Sequence, residues 1–167
     1  TWYHIDDVAT LFQETFDSIG SPVVIRPANQ GSSIGVSIID REAGEEAFRE
    51  AIDRAFFREF IPVARWRERS TYEKVDHIRL LTDIRDGLGF PIDVTVGNTT
   101  TTVYHPEHLL TFLDEQAEEI DEETTTFELN SHLSESKIIL EEFISGKEFS
   151  CIVVRTQDGG CLALPPT

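Results

Sequence analysis

The sequence predicts an α+β fold in which a mostly antiparallel sheet is covered on one face by helices. Two segments near the N-terminus carry apolar residues at helical spacing. Short runs rich in β-branched residues stand beside them, and several of these runs are joined by turns of only a few residues. Such connections require antiparallel pairing, because a parallel crossover needs a dozen or more residues.

The first expected helix covers residues 6–19. Asp6 or Asp7 suits its N-cap, and Gly20 suits its end. A strand should follow directly. The apolar positions at helical spacing are Val8, Leu11, Phe12, Phe16 and Ile19.

A loop of small residues then stands between two strand-like runs, residues 22–26 and 36–39. Glycine and serine at positions 31–35 allow backbone N–H groups to approach an anion, because glycine permits positive φ and carries no Cβ. Arg26, on the entering strand, would supply a fixed positive charge. The pattern indicates a phosphate-holding hairpin, although an ordinary hairpin with a flexible turn has the same composition.

A second amphipathic helix is expected after Asp40, which would cap it. The helix must lie on the sheet, and its aromatic residues are interpreted as core rather than as a cofactor site. The apolar stripe comprises Ala43, Ala47, Phe48, Ala51, Ile52, Ala55, Phe56 and Phe60.

Three strands are predicted near the C-terminus, over residues 137–144, 148–154 and 161–164, with short turns at 145–147 and 158–160. Cys151 and Cys161 lie in these apolar runs. Two cysteines are too few for a disulfide framework, so buried free thiols in a reducing compartment are expected.

Residues 62–136 are interpreted as an inserted α/β lobe. It should contain a helix over 72–85, a hairpin turning at Gly97 and Asn98, and a helix that Pro106 opens. The acidic run at 118–123 and the Thr/Ser stretch after it indicate a solvated, mobile tether. The chain is therefore predicted to divide into one subdomain made of residues 1–61 and 137–167 and an inserted lobe made of residues 62–136.

Charge and composition narrow the function classes. A formal net charge of -17 argues against nucleic acid, whose phosphates require clustered Lys and Arg, but a single nucleotide site needs only local positive potential. No apolar run has the length of a membrane span and no targeting signal is present, so the cytoplasm is expected. Thr1 in place of Met, and an extended final segment, suggest that the natural polypeptide continues.

Glu141 and Glu142 stand within an otherwise apolar strand. Ionised groups there need a partner, and only one of the two can face solvent on a one-sided sheet because successive side chains alternate. Edge-strand charges that prevent aggregation are the alternative. His105 and His108 could face one ion, but capping and surface placement explain both, so no residue is assigned to a metal.

Together, the loop and the glutamate segment resemble the central portion of the D-alanine:D-alanine ligases, members of the ATP-grasp family. The resemblance covers residues 8–60 and 137–167. It rests on three motifs in the family's order. They are Arg26-Pro27-Ala28, Gly31-Ser32-Ser33-Ile34-Gly35 and Glu141-Glu142-Phe143-Ile144-Ser145-Gly146-Lys147-Glu148.

The resemblance implies an ATP-grasp-like central subdomain with a role for each motif. The loop Gln30, Gly31, Ser32, Ser33, Ile34 and Gly35 would close over the ATP phosphates, with Arg26 where the family has a lysine. The segment Glu141, Glu142, Phe143 and Ile144 would be the hinge against adenine, and Glu148 would accept from the ribose hydroxyls.

The implied activity of the parent protein is ATP-dependent ligation of D-alanine or a similar small acid, through an acyl phosphate that an amine attacks, as in peptidoglycan biosynthesis for the cell wall. Mg²⁺ is implied, with its ligands and both flanking lobes outside this chain. No catalytic residue is assigned, and the fragment alone is expected to be inactive. Alternatives are another ATP-grasp carboxylate–amine ligase, or a non-catalytic binding module on a degenerate ATP-grasp fold.

Overall fold

The computed structural model describes residues 8–85, 87–120, 124–147 and 149–165. It confirms an α+β fold, since helices accompany three separate sheets and every strand pair in these ranges is antiparallel. No helix within the same ranges is long and apolar enough to cross a membrane.

Helices and strands are interspersed along the chain, and the last four elements are strands. The helices are α1 (Val8–Ser18), α2 (Gly44–Ala55), α3 (Val63–Glu68), α4 (Thr71–Thr82) and α5 (Pro106–Glu119). The strands are β1 (Val23–Pro27), β2 (Ser37–Ile39), β3 (Arg58–Pro62), β4 (Ile92–Val96), β5 (Thr99–Val103), β6 (Thr126–Ser131), β7 (Ile138–Glu142), β8 (Val153–Arg155) and β9 (Cys161–Ala163).

The first sheet has the order β2-β1-β7, with α1 and α2 packed on one face. Val23 and Ile25 on β1 are fully buried there, as their alternation with Val24 and Arg26 predicts. The predicted first helix is confirmed over Val8–Ser18, and the hairpin around the Gly/Ser loop is confirmed as well; the predicted N-cap, Asp6 or Asp7, lies outside the described residues. The first core comprises Val8, Leu11, Phe12, Phe16, Val23, Ile25, Phe48, Ala51, Ile52 and Ala55.

The second sheet has the order β3-β6-β4-β5 and packs with α3, α4 and α5. The β4–β5 hairpin turns at Gly97 and Asn98, α4 begins one residue before the predicted range 72–85 and ends at Thr82, and Pro106 occupies the first turn of α5. All three predictions for this region are confirmed. The second core includes Phe57, Ile61, Val63, Trp66, Ile78, Leu81, Ile92, Val94, Leu109, Leu113, Phe127 and Leu129.

The prediction of a mobile tether is wrong for residues 126–131, which form the interior strand β6. Phe127, Leu129 and Ser131 are buried, and they alternate with half-buried Thr126, Glu128 and Asn130. β6 hydrogen-bonds to β3 on one side and β4 on the other. Buried and half-buried residues alternate along β6 as in any strand with one face in a core, but the polar residues on its other face make the segment look like a solvated linker in the sequence.

The second helix ends at Ala55, so the predicted stripe is wrong at Phe60. Phe57 takes a positive φ of 56°, and β3 begins at the next residue. Phe60 is consequently a strand residue with 44% of its surface exposed. Asp40 does not cap α2 either, because it precedes a short 3-10 turn and makes no side-chain capping bond.

The predicted pairing of the strands at 137–144 and 148–154 is wrong. β7 pairs with β1, while β8 and β9 form a separate hairpin whose residues are all exposed. Cys151 and Cys161 are exposed free thiols, so the expectation of buried thiols is also wrong. Within the described ranges, neither hydrophobic core extends to this hairpin, so its apolar pattern does not lead to burial.

The chain passes from the first core to the second between Phe56 and Phe57. The Ser131 amide donates to the Phe57 carbonyl at 2.9 Å, which holds the end of β6 beside the start of β3. β3 belongs to the second sheet, although a division at residue 62 would separate most of it from its partners. The division of the chain into domains remains a prediction.

Candidate functional site

The loop between β1 and β2 contains an unusual left-handed turn. Ser32, Ser33 and Gly35 have φ values of 56°, 59° and 67°, and the Ile34 amide donates to the Gly31 carbonyl at 3.1 Å. Positive φ is uncommon for residues other than glycine. Residues 31–33 are exposed, so the backbone N–H groups of this turn lie at the surface, in the kind of conformation that forms anion-binding concavities.

The base of the loop is tied to the segment before β7. The Ala28 amide donates to the Lys137 carbonyl at 3.3 Å, and Asn29 Nδ2 donates to Glu135 Oε2 at 2.8 Å. The two segments are more than a hundred residues apart in sequence. Local patterns therefore gave no signal for these anchors.

The far end of the loop is fixed against the second core. Ile34 packs on that core, and Gly35 is buried beside Pro27 and Phe57. A Cβ built on Gly35 would lie 2.9 Å from Pro27 Cγ and 3.3 Å from Phe57 Cζ. Only glycine combines that positive φ with such close neighbours, so the exposed tip is held by a rigid support.

Arg26 and Glu141 form an ion pair on the face of the first sheet that α1 and α2 leave open. Arg26 Nε donates to Glu141 Oε1 at 2.6 Å, and Nη2 lies 3.4 Å from Oε2. The side chains are 35% and 44% exposed. The hydrogen bond that Arg26 donates to Glu141, reinforced by the carboxylate charge, raises the pKa of Arg26 above its ordinary value, so the guanidinium stays charged but is compensated.

This pairing brings together two residues to which the resemblance gives different roles. Arg26 is assigned to the phosphates and Glu141 to the adenine hinge, yet each is the other's partner. The prediction that Glu141 and Glu142 point to opposite faces is confirmed, since they lie opposite Val24 and Val23 of β1. Glu142 is exposed at the end of the strand.

The rest of the predicted hinge leaves the sheet after Glu142. The Phe143 amide donates to the Pro22 carbonyl at 3.3 Å, and Ile144 is 85% exposed. Within the described ranges, no hydrogen bond or ion pair joins residues 142–147 to the loop at 30–35. Gln30 is half-buried, and Glu148 lies outside the described residues.

The part of the chain that the structure describes does not fit a magnesium site. It contains no group of three or more His, Cys, Asp or Glu side chains that could hold an ion. The His105 and His108 rings lie 5.7 Å apart and contact each other edge to face. His77 lies instead beside Glu59, with Nε2 3.1 Å from Oε1.

Comparison with known families finds a match to part of the chain. Residues 4–73 match the family model described as D-ala D-ala ligase C-terminus. The matched range contains α1, the β1–β2 hairpin with its Gly/Ser loop, and α2. The resemblance to D-alanine:D-alanine ligases is thereby confirmed, although residues 137–167 lie outside the match.

One curated relative is similar to this chain over a short segment. "D-alanine--D-alanine ligase A" of Chromobacterium violaceum is 50% identical over 40 residues, which are 24% of this chain. The matched segment spans 10% of that ligase's own length. No solved structure matches this chain.

Proposed function

We propose that this chain is the nucleotide-binding portion of an ATP-dependent D-alanine:D-alanine-type ligase. One observation carries the proposal: the family match spans the strand–loop–strand unit whose turn contains three left-handed residues, of which Ser32 and Ser33 are exposed. Anions suit such turns, because N–H groups from successive residues can converge on phosphate oxygens. The rigid support under Gly35 would spare the loop much of the entropy of ordering on binding.

Each predicted contact follows from the exposed groups. Residues 31–33 would bind the phosphates through their N–H groups and the two serine hydroxyls. Arg26 would add positive charge to the phosphate site once its ion pair with Glu141 is broken. Backbone groups of residues 142–144, beyond the end of β7, would meet the edge of adenine, and Phe143 and Ile144 offer exposed apolar surface for the ring. Glu148 would accept from the ribose.

ATP would supply the phosphoryl group that activates a carboxylate for attack by an amine, with D-alanine or a similar small acid as substrate of the parent protein. The described residues contribute binding and orientation, and they include no metal site. We therefore expect the chain alone to form no ligation product. Phosphate release on adding ATP, Mg²⁺ and D-alanine to the purified chain would contradict this expectation.

The experiment that tests nucleotide binding is a thermal-shift titration with ADP and ATP, with and without Mg²⁺. Binding to the folded state alone stabilises it by about 2.7 kcal/mol at a hundredfold excess over the dissociation constant, so the wild-type midpoint should rise. Gly31→Glu should abolish the rise, because it places a carboxylate at the exposed tip where a Cβ meets no atom within 4 Å.

Asn98→Glu is the matched control, since it adds the same charge at an exposed position in the β4–β5 turn, away from the loop and its anchors. It should keep the wild-type shift. An unchanged midpoint for the wild type at millimolar nucleotide, or an equal loss in both variants, would exclude the loop as a nucleotide site.

A second candidate is the non-catalytic binding module, which the Arg26–Glu141 ion pair favours because both side chains are already satisfied. Glu141→Gln discriminates between the two. If Arg26 serves the phosphates, removing the competing carboxylate should strengthen ADP binding. If neither the wild type nor Glu141→Gln responds to nucleotide, the binding-module interpretation is favoured.

A further inference from the structure

We propose that a cleft along the edge strand β3, between α2 and α4, binds a small phosphate monoester that carries a flat apolar group. The cleft belongs to the second sheet and lies apart from the Gly/Ser loop, whose residues do not line it. The proposal is therefore independent of the nucleotide site described above.

Basic side chains are concentrated in this cleft. The whole chain has 14 Lys and Arg and a net charge of -17. Five of the arginines line the cleft, against four carboxylates, so the cleft has an excess of one positive charge in a protein that is acidic as a whole. The arginines are Arg49, Arg54, Arg58, Arg65 and Arg69.

The cleft also holds buried nitrogens without hydrogen-bond partners. Across the described residues, four buried side-chain polar atoms have no hydrogen-bond partner, and three of them belong to residues that line this cleft: Arg58 Nη2, Arg69 Nη1 and His77 Nε2. A buried guanidinium donor left unpaired is costly, and an anionic ligand would offer the acceptor that Arg69 Nη1 lacks.

Two of these nitrogens are partly compensated by carboxylates. Arg58 Nη2 lies 2.7 Å from Asp53 Oδ1, and His77 Nε2 lies 3.1 Å from Glu59 Oε1, but neither contact has hydrogen-bond geometry. Arg69 has no carboxylate within ion-pair distance among the described residues, and its Nη1 is the strongest candidate for a ligand contact.

The guanidinium groups are held in place by aromatic rings. Arg69 Cζ lies 5.5 Å from the Trp66 ring centroid, and Arg58 Cζ lies 4.9 Å and 5.3 Å from those of Phe56 and Phe60. A planar guanidinium fork suits bidentate contacts with phosphate, and a held fork loses less entropy on binding.

Exposed apolar side chains on the wall of the cleft indicate that the ligand has an apolar group besides its phosphate. Phe60 and Leu80 line it and are 44% and 56% exposed. Inorganic phosphate would leave this apolar surface in water, whereas an aromatic monoester would cover it. Phenyl phosphate is therefore the probe, with inorganic phosphate as the comparison that lacks the ring.

The test is a calorimetric titration of the full chain at about 0.05 M salt, where charge contacts are weakly screened. Phenyl phosphate should bind more tightly than inorganic phosphate, and Phe60→Ala should remove that preference. Arg65→Gln, at an exposed position in the cleft, should weaken phenyl phosphate binding by about tenfold, as expected for a lost charge-assisted contact.

Arg155→Gln is the matched control, because Arg155 is exposed on β8, outside the cleft. It should leave the affinity unchanged, as should Gly31→Glu in the loop. Arg69→Gln should weaken binding at least as much as Arg65→Gln; if loss of the Trp66 contact unfolds that variant, Arg65→Gln decides. No binding by the wild type, or equal weakening by Arg155→Gln, would overturn the proposal.

Discussion

Two glycines of the Gly/Ser loop, Gly31 and Gly35, have different physical roles. Gly35 has a φ of 67° and two close neighbours, whereas Gly31 has open space around the position of a Cβ. Gly35 therefore fixes the shape of the loop. Gly31 keeps the tip accessible and is free to vary without strain on the fold.

At this scale we predict that Gly35→Ala lowers the free energy of unfolding by about 1–3 kcal/mol, because an L-residue is strained at this φ and its methyl group meets Pro27. Gly31→Ala should change it by no more than about 0.5 kcal/mol. Urea titrations of the two variants measure both values. Equal losses would show that the loop is not supported as described.

Among the elements, α4 has the most complete local signal. Ser70 is its N-cap: the Glu73 amide donates to Ser70 Oγ, and the Ser70 amide donates to Glu73 Oε2 at 2.7 Å. This capping box is visible in the sequence as Ser-x-x-Glu. The start of the helix at residue 71 was therefore predictable from this motif, whereas the spacing of apolar residues alone does not fix it.

We predict that Ser70→Ala lowers the free energy of unfolding by about 1 kcal/mol through loss of the cap. The hydrogen bonds from Ser70 hold the pKa of Glu73 below its ordinary value of 4.5. The ionised carboxylate therefore stabilises the fold above that pH, and the contribution is lost as the pH falls through the folded-state pKa.

The measurement is the thermal midpoint of the wild type and of Glu73→Gln from pH 6 down to pH 3. The wild type should be the more stable at pH 6, and the difference should shrink as the pH falls. A difference that is constant across this range would exclude the capping carboxylate as its source.

The molecule as a whole has two hydrophobic cores that share a small junction. Phe56 packs on the first core and Phe57 on the second, and Ile34 of the Gly/Ser loop also packs on the second core. Most buried residues contact only one core. The two parts should therefore differ in stability.

We predict that the two cores unfold in separable steps. Trp66 is buried in the second core, so its fluorescence in a Trp2→Phe background reports that core alone. Phe48→Ala, in the first core, should lower the midpoint seen by far-UV circular dichroism and leave the Trp66 midpoint unchanged, because a cavity acts on the core that contains it. Coincident shifts would show one cooperative unit.

Much of the candidate site was predictable because it is local. The Gly/Ser motif indicated the loop, and the alternation of β1 placed Arg26 on the face opposite Val23 and Ile25. The contact between Arg26 and Glu141 was not predictable, since it joins residues 115 positions apart. The buried nitrogens of the β3 cleft that make no hydrogen bond likewise follow from packing, and no motif marks them.

The sequence by itself determined α1, the two hairpins that turn at the Gly/Ser loop and at Gly97, α4, α5 and the likeness to the ligase family. Each depends on periodicity or turn chemistry within a few residues. Only the tertiary structure decided that β7 pairs with β1, that β6 lies inside the second sheet and that both cysteines are exposed. Those outcomes depend on contacts between segments that are distant in sequence, and the free energy of such contacts cannot be read from a local pattern.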